Sequence, residues 1–524
     1  MTEFAPGARK KTLDKDLEKF VHVEEAAGVV ARGLVAPGLG LLFLALSGVI
    51  AALFVMGEPG AVIVIAASAI GGYMALNIGA NDVANNVGPA VGAKAMTMGG
   101  ALAIAAVFES AGALIAGADV MTTISSGIVD PAAIADRGAF IRLMLAALVS
   151  SALWINIATW IGAPVSTTHS VVGGVVGAGI AAAGFAAIDW ATVGGIAVSW
   201  VISPMLGALV ATLFLAFIKE NIIYRDDKIA AARLWVPILI AVMAGAFSAY
   251  LATKGLTRLV EVSAFQIATL GAGSFILVWG LARIGIERQA ATLENRNQSL
   301  RKLFRLPLIF SAALLSFAHG ANDVSNAVGP LAAIVHAASG DPQSSVIEIP
   351  LWVMVIGAFG ISLGLVLFGP KLIRMVGGQI TKLNPMRAFC VALSAAITVI
   401  VASWFGLPVS STHIAVGAVF GVGFFREWYT ANSPRRRAYL ERKGNKARAA
   451  RKQGKAQAQD EAEAGGAAIG DPDIDDVPVS REEIARRRLV RRAHVMTIAT
   501  AWVTTVPASA VLAAVIFLLL NLLT

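Results

Sequence analysis

Run after run of apolar residues divides this chain, most of them close to the roughly 20 residues that carry a helix across a bilayer. In hydrocarbon every backbone N–H and C=O must be satisfied internally, which admits only helices and closed barrels. Runs of this length suffice to span as helices, so the chain is expected to be an all-α polytopic membrane protein. The runs are Leu34–Val55, Ala61–Leu76, Met98–Ala116, Ala139–Ile161, Ser170–Ala187, Ala191–Ile218, Leu234–Ala252, Phe265–Leu281, Leu306–Phe317, Ile349–Phe368, Ala388–Trp404 and Val495–Leu523. They predict about 10–12 spanning helices. Charged residues make up 14% of the chain, against about 25% in soluble proteins.

The loops carry the charge. Lys219–Arg233 and Arg283–Arg305 are basic and separated by two spans, so both suit the cytoplasm, as does the basic segment before Arg32. Gly117–Asp136 and Ser339–Glu348 are mainly acidic and suit the opposite side. The net charge of +9 therefore reflects membrane flanks, and no nucleic-acid partner is expected. Cys390 is the sole cysteine, which excludes an internal disulfide and a thiolate metal site. With no cleavable leader pattern before Leu34, the expectation is a multi-pass protein of the cytoplasmic membrane.

A polar island sits inside this apolar sequence, and it occurs twice. Gly79-Ala80-Asn81-Asp82-Val83-Ala84-Asn85-Asn86-Val87-Gly88-Pro89 returns as Gly320-Ala321-Asn322-Asp323-Val324-Ser325-Asn326-Ala327-Val328-Gly329-Pro330, identical at nine of eleven positions. An intramembrane Asp costs roughly 2.5–3.5 kcal/mol on the insertion scale, so two copies point to function. Asn81, Asp82, Asn85, Asn322, Asp323 and Asn326 offer hard oxygen donors suited to a small cation such as sodium. The glycines and prolines predict unwinding there, which would add backbone carbonyls. Capping of half-helices is the plainer reading of the two aspartates. Glu109, in Phe108-Glu109-Ser110-Ala111-Gly112, is a further intramembrane carboxylate, either a cation ligand or a structural group.

A second motif keeps pace with the first. Trp160-Ile161-Gly162-Ala163-Pro164-Val165-Ser166-Thr167-Thr168-His169 is matched by Trp404-Phe405-Gly406-Leu407-Pro408-Val409-Ser410-Ser411-Thr412-His413, with Ser166 84 residues after Asp82 and Ser410 87 after Asp323. Gly173, Gly177 and Gly179 correspond to Gly417, Gly421 and Gly423, and Trp200-Val201 and Pro204 to Trp502-Val503 and Pro507. Pro followed by hydroxyl residues suits a helix N-terminus, whose free N–H groups and dipole favour an anion. Ser166, Thr167, Thr168, Ser410, Ser411 and Thr412 are thus the candidate anion donors, with ordinary Ser/Thr capping as the plainer reading. His169 and His413 could contact the anion or pack between helices. No Lys or Arg lies in either motif, so co-bound cations must help neutralise the anion, which predicts obligatory coupling. A carboxylate accepts a hydrogen bond from protonated phosphate but not from sulfate, which makes phosphate the expected anion.

Duplicated halves with Gly/Pro-broken polar segments at matching places are the mark of secondary transporters. The expected division is a cytoplasmic segment 1–33, an extra spanning helix in 34–60, repeat 1 over 61–218, and linking loops with two spans over 219–305. Repeat 2 follows over 306–425, then a basic hydrophilic cytoplasmic insertion over 426–492, and the last span of repeat 2 over 493–524.

At these residues the sequence resembles the inorganic phosphate transporter (PiT) family, through the doubled Gly-Ala-Asn-Asp-Val-Ala/Ser-Asn signature and the Pro-Val-Ser-Thr-Thr-His segments, between about Ala61 and Leu520. The resemblance implies two inverted-topology repeats with broken or re-entrant helices, and alternating access around a phosphate site near the midplane. It also implies cation symport with no cofactor. Asp82, Ser166, Thr167, Asp323, Ser410 and Ser411 stand where such relatives contact phosphate and its co-ions, Ser411 replacing the usual Thr. Some relatives are driven by sodium, others by protons with metal–phosphate complexes, and a few move sulfate; the first motif copy and the Glu109 segment look like the sodium-coupled branch. Other classes fit less well. An intramembrane protease lacks its Gly-x-Gly-Asp or Gly-x-Ser-Gly motif here, and an anion channel, whose pore can also use charged or dipolar linings, would show current that needs no cation gradient. The sequence leaves monomer and homo-oligomer both open.

Overall fold

The computed structural model describes residues 34–129, 133–134, 136–161, 165–258, 260–339, 349–379, 383–439, 442 and 492–523. The N-terminal segment 1–33, most of the acidic loop expected at 339–348, and most of the expected insertion lie outside them. The described residues are helical, with one isolated bridge between Val129 and Ile188.

We number the helices in chain order: α1 Leu34–Val55; α2 Ala61–Gly92, α3 Met98–Ala116, α4 Ala118–Thr122, α5 Arg137–Ile161, α6 Thr167–Ala183, α7 Trp190–Ile218, α8 Lys228–Lys254 and α9 Ala264–Ala290. The series continues with α10 Asn297–Leu303, α11 Arg305–Asp323, α12 Ser325–Ser339, α13 Leu351–Gln379, α14 Pro385–Trp404, α15 Ser411–Asn432 and α16 Arg492–Leu523. Among the described residues 10 helices are long and apolar enough to cross a membrane, and α10 with α11–α12 forms one further pair bent by 44°. The ends are set locally. Thr97, Ser166, Asp227, Ser263, Asn384 and Ser410 each accept a first-turn N–H of the helix that follows.

The sequence duplication reappears as a duplicated set of helix contacts in which the repeats are exchanged. α2 packs on α13, and α11, its counterpart, packs on α3; α6 packs on α16, and α15 packs on α7. Glycine makes each contact close enough for backbones to touch. A Cβ on Gly79 would lie 1.9 Å from the carbonyl oxygen of Ile361, and one on Gly320 2.1 Å from that of Glu109. Likewise Gly177 meets the Ala510 carbonyl at 2.1 Å and Gly421 the Ala208 carbonyl at 2.3 Å. The paired glycines after the second motif are therefore seats for the last helix of the other repeat, the small-residue packing that lipid-embedded helices favour.

Equivalent residues also meet their own counterparts. The Ser110 and Ser362 hydroxyls are 2.6 Å apart, each reaching back to the other helix at Ala358 O and Ala106 O. The His169 and His413 rings are 4.4 Å apart, edge to face. These contacts mark the line along which the halves join. α8 and α9 pack mainly on each other at the periphery, through the facing glycines Gly245 and Gly271.

Candidate functional site

The first motif does not unwind. α2 runs unbroken from Ala61 to Gly92 through Asn81 and Asp82, and in the second copy α11 passes into α12 at Val324 with the chain still helical on either side. The expected free carbonyls are absent because Gly79 and Gly320 serve helix approach instead, as their clashes with α13 and α3 require. The real breaks lie at the second motif, between α5 and α6 and between α14 and α15. Gly406 at the second break has φ +65°, a left-handed conformation that favours glycine. Gly162, Ala163 and Pro164 of the first break lie outside the described residues.

Each break presents a helix N-terminus to the aspartates. Ser166 accepts the N–H of His169 at 3.2 Å and Ser410 that of His413 at 3.3 Å, so both serines are caps, each with a hydroxyl proton of its own to give. The next residues turn to the carboxylates. Thr167 Oγ1 lies 3.1 Å from Asp82 Oδ2 and 3.2 Å from Asp323 Oδ2, linking the two motif copies through one hydroxyl. Thr412 Oγ1 donates to Asp82 Oδ1 at 3.0 Å, and Ser411 Oγ to Asp323 Oδ2 at 3.4 Å. Thr168 donates instead to Val409 O, on the other repeat's break, at 3.0 Å.

The asparagines lock this arrangement in matching ways. Asn85 Nδ2 donates to Thr412 Oγ1 at 2.8 Å, and Asn326 Nδ2 to Thr168 Oγ1 at 3.2 Å, each reaching into the other repeat. Asn81 Nδ2 donates to Val165 O and Asn322 Nδ2 to Leu407 O, both at 3.2 Å, pinning each motif to the break of its own repeat. Hydrogen bonds thus join Asn81, Asp82, Asn85, Thr167, Thr168, Asp323, Asn326, Ser411 and Thr412 in one largely buried cluster, while Ser166 and Ser410 cap the helices that border it and Asn322 bonds to the break of its own repeat.

Glu109 joins through a residue that the sequence reading missed. His319 Nδ1 lies 3.4 Å from Glu109 Oε1, and its Nε2 lies 3.2 Å from Asp323 Oδ2 and 3.8 Å from Asp82 Oδ2. Asn86, also missed, donates to Glu109 Oε1 at 2.7 Å. The signal was present: His319 precedes the second Gly-Ala-Asn-Asp where Ile78 precedes the first. Counting from the Gly112 and Gly364 contacts with Phe317 O and Leu76 O, Glu109 corresponds to Ile361. One of two equivalent helix interfaces therefore carries a Glu–His pair where the other carries two isoleucines. His169 and His413 lie edge to face against each other, and the His169 ring is 3.8 Å from that of Trp200.

Asp82, Glu109 and Asp323 are 0%, 0% and 1% exposed. Burying carboxylates is strongly unfavourable unless they are paired, and His319 is the one basic side chain in contact with them among the described residues. Asp323 Oδ1, Glu109 Oε2, Asn86 Oδ1 and Asn326 Oδ1 are buried and receive no hydrogen bond among the described residues. Asp82, His319 and Asp323 can each bring a ligand atom within 4.8 Å of the others. Such a set of unsatisfied oxygens fits a small hard cation arriving as cargo.

A buried, acidic cluster built jointly by two matching helical halves of a multi-pass chain defines a membrane transport protein rather than an enzyme. The comparisons with known proteins say which. The phosphate transporter family model matches residues 78–513, and the chain belongs to that family. It is 47% identical to a Helicobacter pylori protein provisionally named a phosphate permease, over 97% of this chain and 99% of the relative. A Pyrococcus abyssi protein with the same provisional name is 36% identical over 68% of this chain and 87% of its own. A solved structure described as the sodium-dependent phosphate transporter superposes with a TM-score of 0.73 at 30% identity, covering 88% of this chain and 100% of its own.

Proposed function

We propose that the protein imports inorganic phosphate across the cytoplasmic membrane by symport with sodium, the two repeats rocking about the central cluster in alternating access. The observation that carries this reading is the excess of buried carboxylate with unpaired oxygens, set against two capped helix N-termini. The carboxylates need cations before an anion can sit beside them; the N-termini and hydroxyls favour that anion once the cations are present. Binding is thereby coupled. Asn81, Asp82, Asn85, Asn322, Asp323, Asn326 and Glu109 are the proposed cation side. Ser166, Thr167, Thr168, Ser410, Ser411 and Thr412 are the proposed phosphate side, with Asp82 and Asp323 accepting from a protonated phosphate.

Inverted topology follows if the basic loops face the cytoplasm. α2 then enters the membrane from outside, after α1 has crossed it, whereas α11 leaves the basic loop Arg283–Arg305 and enters from inside. The solved relative is described as sodium-dependent, which supports sodium here. Radiolabelled phosphate uptake into proteoliposomes, with sodium and proton gradients imposed separately and sulfate as competitor, tests the proposal. Uptake driven by the proton gradient alone would exclude sodium coupling, and strong competition by sulfate would exclude the phosphate assignment.

A further inference from the structure

The repeats match closely in sequence, yet the helix faces beside their aspartates differ. On α2, Tyr73, Asn77, Asn81 and Asn85 recur at every fourth residue and so share one face. α5 runs beside that face. Asn156 Nδ2 donates to Asn77 Oδ1 at 3.1 Å, and Thr159 Oγ1 donates to Asn81 Oδ1 at 3.2 Å. Asn81 Nδ2 in turn donates to Asp82 Oδ1 at 3.0 Å. Asn156 is exposed, and Tyr73, Asn81, Asn85 and Thr159 are half-buried. A polar groove thus leads from the surface of α5 to the first aspartate. Repeat 2 differs in both respects. Leu314, Ala318 and Ile400 stand where Tyr73, Asn77 and Asn156 do, and Asn322, Asn326 and Ser403 are 0%, 0% and 1% exposed.

Side-chain amides hydrogen-bond across membrane helices and help hold them together, and that role accounts for the bond between Asn156 and Asn77. It does not account for the exposure. Asn156 lies inside the span Arg137–Ile161, at the edge of an outer face formed by Leu153, Ile157 and Trp160. A polar group turned to hydrocarbon there is costly; water beside it removes that cost. A carboxamide oxygen has two lone pairs, so Asn77 Oδ1 and Asn81 Oδ1 can each stand in for a hydration water of a passing cation while keeping their bonds to α5. We propose that the groove between α2 and α5 is the aqueous path by which the co-transported ions reach the central cluster, with Asn156 at its mouth and Asn77 and Thr159 along its wall. The matching face of repeat 2 is the sealed side. Such a path has a purpose only if the central cluster binds ions, the reading on which the proposal rests.

The test is cysteine accessibility in the full chain. Asn156→Cys and, at the equivalent place, Ile400→Cys are reconstituted in liposomes and treated with a charged methanethiosulfonate from either side of the membrane. The wild type is the blank, because its one cysteine, Cys390, is buried; Thr159→Cys serves if Asn156→Cys fails to insert. The expected result is modification of Asn156→Cys from one side only, a loss of sodium-driven phosphate uptake on modification, and little reaction at Ile400→Cys. Asn156→Ile, which gives repeat 1 the residue of repeat 2, is expected to slow initial uptake about tenfold, the cost of one hydrogen bond to an ion. The sodium concentration that half-stabilises this variant against thermal unfolding should stay at the wild-type value, whereas a merely structural Asn156 would lower the sodium-free melting temperature and leave the uptake rate per folded protein unchanged. Reaction of Asn156→Cys only with a neutral, membrane-permeant maleimide would set it against lipid and overturn the proposal, as would equal reaction at Ile400→Cys or wild-type uptake by Asn156→Ile. A wild type that moves no phosphate, with Asn156→Cys still modified from one side, would refute the phosphate reading and keep the groove.

Discussion

Asp323→Asn isolates charge from shape. Asn occupies the same volume, and its amide oxygen can still accept from Thr167 and Ser411, now 3.2 and 3.4 Å from Asp323 Oδ2. What is lost is one buried negative charge. At about 4 Å and an effective dielectric constant near 20, a unit charge is worth about 4 kcal/mol to a bound monovalent cation. Every 1.4 kcal/mol is about tenfold, so sodium affinity is expected to fall about a thousandfold. Sodium-driven uptake should vanish at any attainable gradient. Stability should move differently: removing an under-paired buried carboxylate relieves its desolvation, so the sodium-free melting temperature in detergent is expected to hold or rise, while stabilisation by added sodium disappears. The assays are phosphate uptake in proteoliposomes and thermal unfolding across a sodium series. Full uptake in both Asp323→Asn and the matching Asp82→Asn would falsify the paired-site reasoning.

The remaining predictions test other links. Gly320→Ala drives a Cβ to 2.1 Å from Glu109 O, whereas Gly88 has open space around it; the first should lower the melting temperature, consistent with overpacking of about 1–3 kcal/mol or more, and Gly88→Ala should leave it near wild type. Ser166→Ala with Ser410→Ala removes both caps, at about 1 kcal/mol each, and is expected to raise the half-saturating phosphate concentration more than that of sodium; equal shifts would refute the division of the site into anion and cation sides. His319→Leu makes the Glu109 interface resemble its Ile78–Ile361 counterpart but strands Glu109 Oε1 with Asn86 alone, so uptake should drop sharply and be partly rescued by Glu109→Gln. Deleting residues 443–491 should preserve turnover, measured as initial uptake rate per inserted protein.

The aspartates, asparagines and hydroxyls of the candidate site were legible from sequence because polarity in an apolar run is costly, and its near-identical repetition at similar spacing signals two halves of one structure. The hydrogen bonds that join Thr167 to both aspartates, or Asn85 to Thr412, bring together residues that the repeats had already paired. His319 was not picked out, because a single histidine among apolar residues carries no spacing signal of its own. The unwinding expected at the first motif also failed: Gly79 looks like a helix breaker along the chain, and only the facing carbonyl of Ile361 reveals it as a contact surface.

The same distinction holds for the whole protein. By itself the sequence determined the helices, the duplication and the chemical kinds of side chain in the site, since these rest on length, periodicity and the cost of polarity in lipid. Tertiary structure alone decided which repeat supplies the hydroxyl for which carboxylate, that Glu109 faces His319, and that Lys219 lies over the ring of Tyr429, distant in the chain. Those pairings depend on which helix backbones approach closely enough to touch, and that is fixed by side-chain volumes on two surfaces at once.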